Sequence, residues 1–337
     1  MKKTILVTGG TGFIGSHTVV ELIKTGHDVV IVDNLFNSKI TVLDAIEELT
    51  GTKPTFYKVD LRDQAAIDNV FDNHNVDSVI HFAGFKAVPE SVEKPLMYYD
   101  NNIGGTINLL QAMANHEVKR IVFSSSACVY GEQDEYICHE DMKVGCGIAN
   151  PYGRTKFMIE EILKDASIAD AELEVVILRY FNPVGNHESG IIGEDPNGIP
   201  LNLMPIVMKV AIGELKELSI YGDDYPTPDG TAIRDYIHVS DLATGHIAAL
   251  EHMRPGAFIY NLGTGRGTSV KEMIDAFEKA RGQKLPKKIA PRRAGDLPET
   301  VANPAKAKKD LKWQTKLDIN DAMRDTIKYL KHTGHLK

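Results

Sequence analysis

The sequence predicts an α/β chain in which a doubly wound parallel sheet comes first and a smaller C-terminal substrate-binding region follows. Three observations predict it. A glycine loop sits between a strand and a helix at the start, an acid closes the second strand, and strand and helix patterns alternate over the first 180 residues.

Thr4-Ile5-Leu6-Val7-Thr8 is a short β-branched apolar run, as a strand buried on both faces requires. It leads into Gly9-Gly10-Thr11-Gly12-Phe13-Ile14-Gly15. A helical pattern follows from Ser16 to Thr25 and stops at Gly26. The loop fits both Gly10-x-Gly12-x-x-Gly15 and Gly9-x-x-Gly12-x-x-Gly15. Such glycines permit a tight turn and close approach of backbone to ligand. The N–H groups at the helix start, with its dipole, receive the charge of a pyrophosphate. Strand, loop and helix together mark a dinucleotide site; the glycine spacing alone would not.

His27 to Val32 reads as the second strand and ends in Asp33, eighteen residues after Gly15. An acid there accepts hydrogen bonds from the adenosine ribose and repels a 2′-phosphate, so NAD is expected rather than NADP. Thr55–Val59 is the third strand, with a helix after Asp60-Leu61-Arg62-Asp63 to about Asp72. Ser78–Phe82 is the fourth, ending in Ala83-Gly84. One long helix is expected over roughly Ser91–His116. Arg120–Ser124 is the fifth strand, and a helix covers Pro151 to about Ala169, with Pro at a favoured first position. Glu174–Arg179 is the sixth strand. The pattern is Rossmann-type, with ligands beyond the carboxyl ends of the strands.

After Asn182 the texture turns rich in Gly, Pro and Asn. The expected division is an NAD-binding domain over 1–180 and a substrate-binding domain over 181–337. Tyr236–His238 and Phe258–Leu262 are expected to return to the main sheet. Helices are expected near Leu203–Gly213, Val239–Met253, Val270–Ala280 and Asp318–His332.

With 337 residues the chain can bury a large core. Its net charge of −8, without a basic block, makes nucleic acid and anionic membrane poor partners. Three cysteines, Cys128, Cys138 and Cys146, are odd in number and lack zinc spacing. No metal is expected, and a cytoplasmic location is the simple reading. The apolar run after Lys2-Lys3 stops at Val7, too soon for a signal peptide, and no stretch reaches the roughly 20 apolar residues of a membrane span.

The chemistry centres on Ser124-Ser125-Ser126 at a strand end and Tyr152-Gly153-Arg154-Thr155-Lys156 at a helix start. Tyr152 and Lys156 are four apart and share a helix face. A phenol with an ordinary pKa near 10 is a poor base at neutral pH. A neighbouring ammonium favours the phenolate, and a cationic nicotinamide would favour it further. Ser126 can donate or relay a proton at the same hydroxyl. The competing reading, a tyrosine and a lysine on a solvated face, loses to this context of dinucleotide loop and serine-tipped strand.

These features resemble the extended short-chain dehydrogenases/reductases. Longer strings are similar to the branch of that family that epimerises UDP-sugars. They are Gly15-Ser16-His17-Thr18, Asp33-Asn34-Leu35, His81-Phe82-Ala83-Gly84-Phe85-Lys86-Ala87-Val88 and Arg179-Tyr180-Phe181-Asn182-Pro183-Val184-Gly185. Further on come Arg234-Asp235-Tyr236-Ile237-His238-Val239, Tyr260-Asn261-Leu262-Gly263 and Ala290-Pro291-Arg292-Arg293-Ala294-Gly295-Asp296-Leu297-Pro298. The resemblance implies that Gly9, Gly12, Phe13, Ile14 and Gly15 surround the NAD pyrophosphate. Asp33 and Asn34 would hold the ribose, and Asp60 and Leu61 would lie by the adenine. Phe82, Ala83, Gly84, Lys86, Asn101, Ser124 and Tyr152 would line the cofactor, with Lys156 at the nicotinamide ribose and Phe181 supporting the nicotinamide. Lys86, Ser126, Tyr152, Asn182, Asn202, Leu203, Tyr221, Arg234, Arg293, Asp296 and Thr300 would meet the UDP-sugar. Guanidinium suits a diphosphate because it binds phosphate bidentately.

The implied activity is interconversion of UDP-galactose and UDP-glucose in galactose metabolism. Tyr152 takes the proton of the sugar 4′-hydroxyl while hydride passes to bound NAD, and hydride returns to the other face of the 4-keto sugar. Thr300 stands where a tyrosine would narrow the substrate, so the N-acetylated UDP-sugars are expected too. A homodimer through the two helices near Ser91–His116 and Pro151–Ala169 is implied. Two other readings compete. A 4,6-dehydratase needs an Asp-Glu pair after the serine, where this chain has Ala127 and Cys128. A non-catalytic NAD sensor would have no use for Tyr152, Lys156 and Ser126 together. His81 and His238, the latter near Asp235, read as structural.

Overall fold

The computed structural model describes residues 2–197, 200, 202–293 and 295–336; Ala294, within one of the strings above, lies outside them. In chain order come β1 (Thr4–Thr8), α1 (Phe13–Lys24), β2 (Asp28–Asp33), α2 (Val42–Thr50), β3 (Thr55–Lys58), α3 (Gln64–Asp72) and β4 (Ser78–His81). Next are α4 (Val88–Glu93), α5 (Pro95–Tyr98), a π-helical stretch (Tyr99–Gly104), α6 (Gly105–Asn115), β5 (Arg120–Ser126), β6 (Ile137–Cys138), α7 (Pro151–Ala169) and β7 (Glu174–Tyr180). The remainder is β8 (Asn182–Val184), α8 (Leu203–Ala211), β9 (Leu218–Tyr221), β10 (Ile233–His238), α9 (Val239–Glu251), β11 (Gly256–Leu262), β12 (Gly267–Ser269), α10 (Val270–Arg281), β13 (Lys287–Ala290), β14 (Glu299–Ala302), α11 (Ala305–Asp310) and α12 (Ile319–His332).

The main sheet has seven strands in the order β11-β7-β5-β4-β1-β2-β3. All its neighbours are parallel. Period-two alternation splits each buried strand between two cores. Ile5 and Val7 pack with α1, α2 and α9, whereas Leu6 packs with α3, α6 and α7. Burying each such side chain contributes roughly 1.5–3 kcal/mol. The order reverses between β1 and β4. Their carboxyl ends, with those of β2 and β5, therefore open one crevice where a ligand can lie.

A second sheet runs β12-β10-β14-β6 with β8 beside β10, and β9 pairs β13. Phe258–Leu262 does join the main sheet, as part of β11 beside β7. Tyr236–His238 does not; it lies in β10 against Asn182–Val184. The expected long helix over Ser91–His116 is also corrected. Pro95, which lacks an N–H and crowds the preceding turn, separates α4 from α5, and the π-helical stretch precedes α6. Helix α2 is not among the elements the sequence predicts.

Candidate active site

The crevice is a cleft of ≈ 1310 Å³. At one end Gly9 has φ +73°, and its N–H donates to the Val32 carbonyl at 2.8 Å. A Cβ on Gly9 would lie 2.7 Å from the Ala83 nitrogen, and one on Gly15 would lie 2.2 Å from the Gly9 carbonyl oxygen. Only glycine lets α1 start this close to the strand tips. No side chain caps α1 at Gly12 and no acid lies in its first turn, so the positive end of the helix is left for a ligand. Asp33 is pinned by N–H groups of Thr11 and Leu35, at 3.3 and 2.8 Å, and by Ser38 Oγ at 3.3 Å. Asp60 accepts from Asn34 at 3.2 Å and from Arg62. The Arg62 hydrogen bonds hold its carboxyl well below the usual range.

Tyr152 and Lys156 enter from α7. Pro151 opens that helix and Asn150 caps it, accepting from the Gly153 N–H at 2.9 Å. Lys156 is 5% exposed, and its Nζ donates to the Ser124 carbonyl at 2.6 Å. Burial lowers its pKa to about 8, with Glu160 working the other way. Burial pushes the Tyr152 phenol up, and Ser126 beside it opposes that. Without a cation nearby the phenol would stay protonated. Ser126 Oγ also accepts from the Cys128 N–H at 3.2 Å. The Cys128 thiol is pushed up by burial, so a neutral thiol stands where a dehydratase would need an acid.

All the residues expected at the cofactor line this cleft except Phe181: Gly9, Gly12, Phe13, Ile14, Gly15, Asp33, Asn34, Asp60, Leu61, Phe82, Ala83, Gly84, Lys86, Asn101, Ser124, Tyr152 and Lys156. An uncapped helix start, a pinned acid at the tip of β2 and a buried lysine at the far end fit an extended dinucleotide. Phe181 is placed differently. It is 8% exposed and packs with Val129, Tyr130, Cys138 and Ala302.

Of the residues expected at the UDP-sugar, Lys86, Tyr152 and Asn202 line the cleft. Another group gathers to one side. Asp296 lies 2.9 Å from Arg293 Nε and 3.9 Å from Arg234 Nη2, and Arg293 covers the Tyr221 ring at 5.0 Å. Thr300 pairs with Arg234 across β14 and β10, and Asn182 pairs with Tyr236 across β8 and β10. Leu203 opens α8 and packs against its core.

His81 is locked between Thr8 Oγ1 at 2.7 Å and Thr106 Oγ1 at 2.9 Å, and burial lowers its pKa to about 3. His238 caps α9 and faces Asp325 at 3.3 Å. Asp235 instead accepts N–H groups of Thr264, Gly265 and Ala302. The partner of His238 is thus Asp325 and not the Asp235 near it in sequence.

Two residues of the cleft wall, Tyr180 and Glu194, and one buried behind it, Asn102, are not among the expected site residues. Tyr180 hydrogen-bonds Ser124 Oγ. Asn102 accepts from the Phe85 N–H at 2.8 Å and donates to its carbonyl at 3.0 Å, fixing the loop before α4. Glu194 is a buried carboxylate on the cleft wall, 3.5 Å from Lys86 Nζ. A pair of adjacent asparagines was the available signal for Asn102; Glu194, in a Gly- and Pro-rich loop, gave none.

The sequence model of the NAD dependent epimerase/dehydratase family matches residues 5–263. The chain is 54% identical over 327 residues to a UDP-glucose 4-epimerase of Bacillus subtilis, covering 96% of both proteins. It is 52% identical over 338 residues to a bifunctional UDP-glucose 4-epimerase and UDP-xylose 4-epimerase of Pisum sativum, covering 98% of this chain and 96% of that protein. Among solved structures it is similar to UDP-glucose 4-epimerase from Bifidobacterium longum in complex with NAD+ and UDP. The TM-score is 0.95 at 52% identity, covering 98% of this chain and 99% of that one.

Proposed function

We propose residue roles from one premise: this chain belongs to the NAD dependent epimerase/dehydratase family and is an isomerase that interconverts UDP-galactose and UDP-glucose with NAD. Bound NAD supplies a hydride acceptor and donor for sugar C4, so no net redox change results. The observation that carries the assignment is Lys156, a buried ammonium held at the Ser124 carbonyl one helical turn from Tyr152. That charge makes the phenolate accessible near neutral pH, and Tyr152 then takes the proton of the 4′-hydroxyl. Ser126 shares that proton. Asp33 holds the ribose and the start of α1 holds the pyrophosphate. Arg234, Arg293 and Asp296 anchor UDP beside the cleft, so remote binding retains the sugar while leaving it free to turn over. Turnover of UDP-galactose to UDP-glucose by purified protein without added reductant tests the reading. A dehydratase would release water, and a sensor would turn over nothing.

The same protein accepts the N-acetylated UDP-sugars, on the strength of Thr300 in place of a bulky ring. It forms a homodimer through the helical segments of Ser91–His116, from α4 to α6, and through α7. Supporting this, Val92, Leu96, Met158 and Ile168 stand exposed there, Leu96 at 80%. Sedimentation at dimer mass would bear this out; a monomer would end it. The cytoplasm is its compartment, in keeping with three unpaired cysteines.

A further inference from the structure

Three charged side chains stand in sequence inside the protein: Lys156 and Glu160 one turn apart on α7, then Arg179 on β7. Glu160 is 0% exposed and Arg179 1%. Arg179 Nε and Nη2 donate to Glu160 Oε1 and Oε2 at 3.0 and 2.6 Å, and Ser125 Oγ donates to Oε1. Ser125 and Arg179 are register partners in β5 and β7. The carboxylate thus ties α7 to both strands directly behind Ser124 and Ser126. Arg179 is seated in turn, 4.9 Å from the Tyr130 ring centroid, with Nη1 at 3.5 Å from the Glu140 carbonyl.

Position and charge both matter. A carboxylate touching Lys156 would draw the ammonium away from Tyr152. Arg179 occupies both oxygens of Glu160, so the acid pairs with Arg179 and acts on Lys156 from one turn behind. We propose that Glu160 is a positioning residue of the reaction: clamped by Arg179 and Ser125, it keeps Lys156 a fixed positive charge beside Tyr152. The proposal rests on the role given to Lys156 above.

Lys156 is faced by Glu160 from its own helix, Cys128 from the turn after β5, His81 from β4 and the Phe123 ring of β5 at 4.8 Å, with Tyr152 one turn before it on α7. Tyr180 of β7 lies behind Ser124 Oγ. Burial keeps His81, Cys128 and Tyr180 neutral. Glu160 and Arg179 are therefore the buried fixed charges behind Lys156, with Arg234 of β10 reaching as far as Cys128, and removing one of the buried pair leaves the other uncompensated in a dry interior.

The test is the pH–rate profile of the NAD-loaded enzyme with Glu160→Gln and Glu160→Asp. Losing the negative charge favours the deprotonated forms of both Lys156 and Tyr152. The Glu160→Gln profile should slide to lower pH by about one unit, roughly a tenfold loss on its alkaline limb. Glu160→Asp keeps the charge and should keep the wild-type position even if the rate drops. Tyr152 phenolate absorbance, read against Tyr152→Phe as blank, should shift with the Gln profile. A Gln profile in the wild-type position, or an Asp profile that slides as far, overturns the proposal. If Glu160→Gln does not fold, Glu160→Gln/Arg179→Met leaves no uncompensated charge. It should slide in the same direction but less far, and no slide overturns the proposal. Full activity in Lys156→Met would instead strike the role of Lys156 itself.

Discussion

Thr300 and Arg234 stand opposite each other in parallel register on β14 and β10. Residue 300 is therefore the strand neighbour of Arg234, whose guanidinium approaches Asp296 together with that of Arg293. On the proposed reading residue 300 borders the sugar rather than the diphosphate, so a ring added there would crowd an N-acetyl group while leaving Arg234, Arg293 and Asp296 in place. Thr300→Tyr should lower turnover of UDP-N-acetylgalactosamine by about a hundredfold or more while sparing UDP-galactose, through steric exclusion rather than lost chemistry. Parallel assays of the two substrates check it. A wild-type enzyme inert towards N-acetylated sugars would refute the breadth reading.

Tyr152→Phe removes the phenolic oxygen and leaves the ring. Turnover should fall by about 10²–10⁴, the usual weight of a general base, with NAD retained. Absorbance of the purified variant reports the cofactor, and near-normal activity would remove Tyr152 from the reaction.

Much of this site was legible because it is local. Gly9 to Gly15, Asp33 and the four-residue step from Tyr152 to Lys156 each carry their geometry in their spacing. What was hidden depends on partners distant in sequence. Glu160 reads as one more acid on a charged helix until Arg179 closes on it from β7. Tyr236–His238 has a strand's composition, but composition does not choose a sheet, and pairing with β8 placed it in the second one. The break at Pro95 is readable from the proline itself. Helix α2 was readable too, with Leu43 and Ile46 buried one turn apart.

Lys156 is maintained at a cost to stability. Its pKa falls on burial from 10.5 to about 8. The unfolded chain therefore binds the proton more readily. The penalty is fully present below about pH 8, shrinks as pH rises, and is gone above 10.5. Lys156→Met should stabilise the NAD-free protein at neutral pH by up to about 3 kcal/mol, an upper bound given the lost hydrogen bond, while abolishing turnover. Denaturant melts across that pH range should show the advantage of the variant fading; a gap constant with pH would contradict the assignment.

On the proposed reading Asp33→Ala removes an acceptor for the ribose and a charge that repels a 2′-phosphate. It also frees the Thr11 and Leu35 N–H groups that now bind the carboxylate. NAD affinity should drop by about tenfold or more and the preference over NADP should narrow. Equilibrium titration with both cofactors decides this, and unchanged affinity and preference would mean that Asp33 does not face the ribose.

The last strand of the main sheet to be synthesised is β11, whose seven residues pair with all seven of β7. Until the ribosome passes Leu262, one side of β7 presents bare N–H and carbonyl groups, a template for any passing strand. At about 5–20 residues per second the chain from Tyr180 to Leu262 takes on the order of ten seconds to make. During that interval the catalytic helix and strand tips already exist on an unfinished edge. The nascent chain should thus depend on holding chaperones in a window that closes when β11 docks.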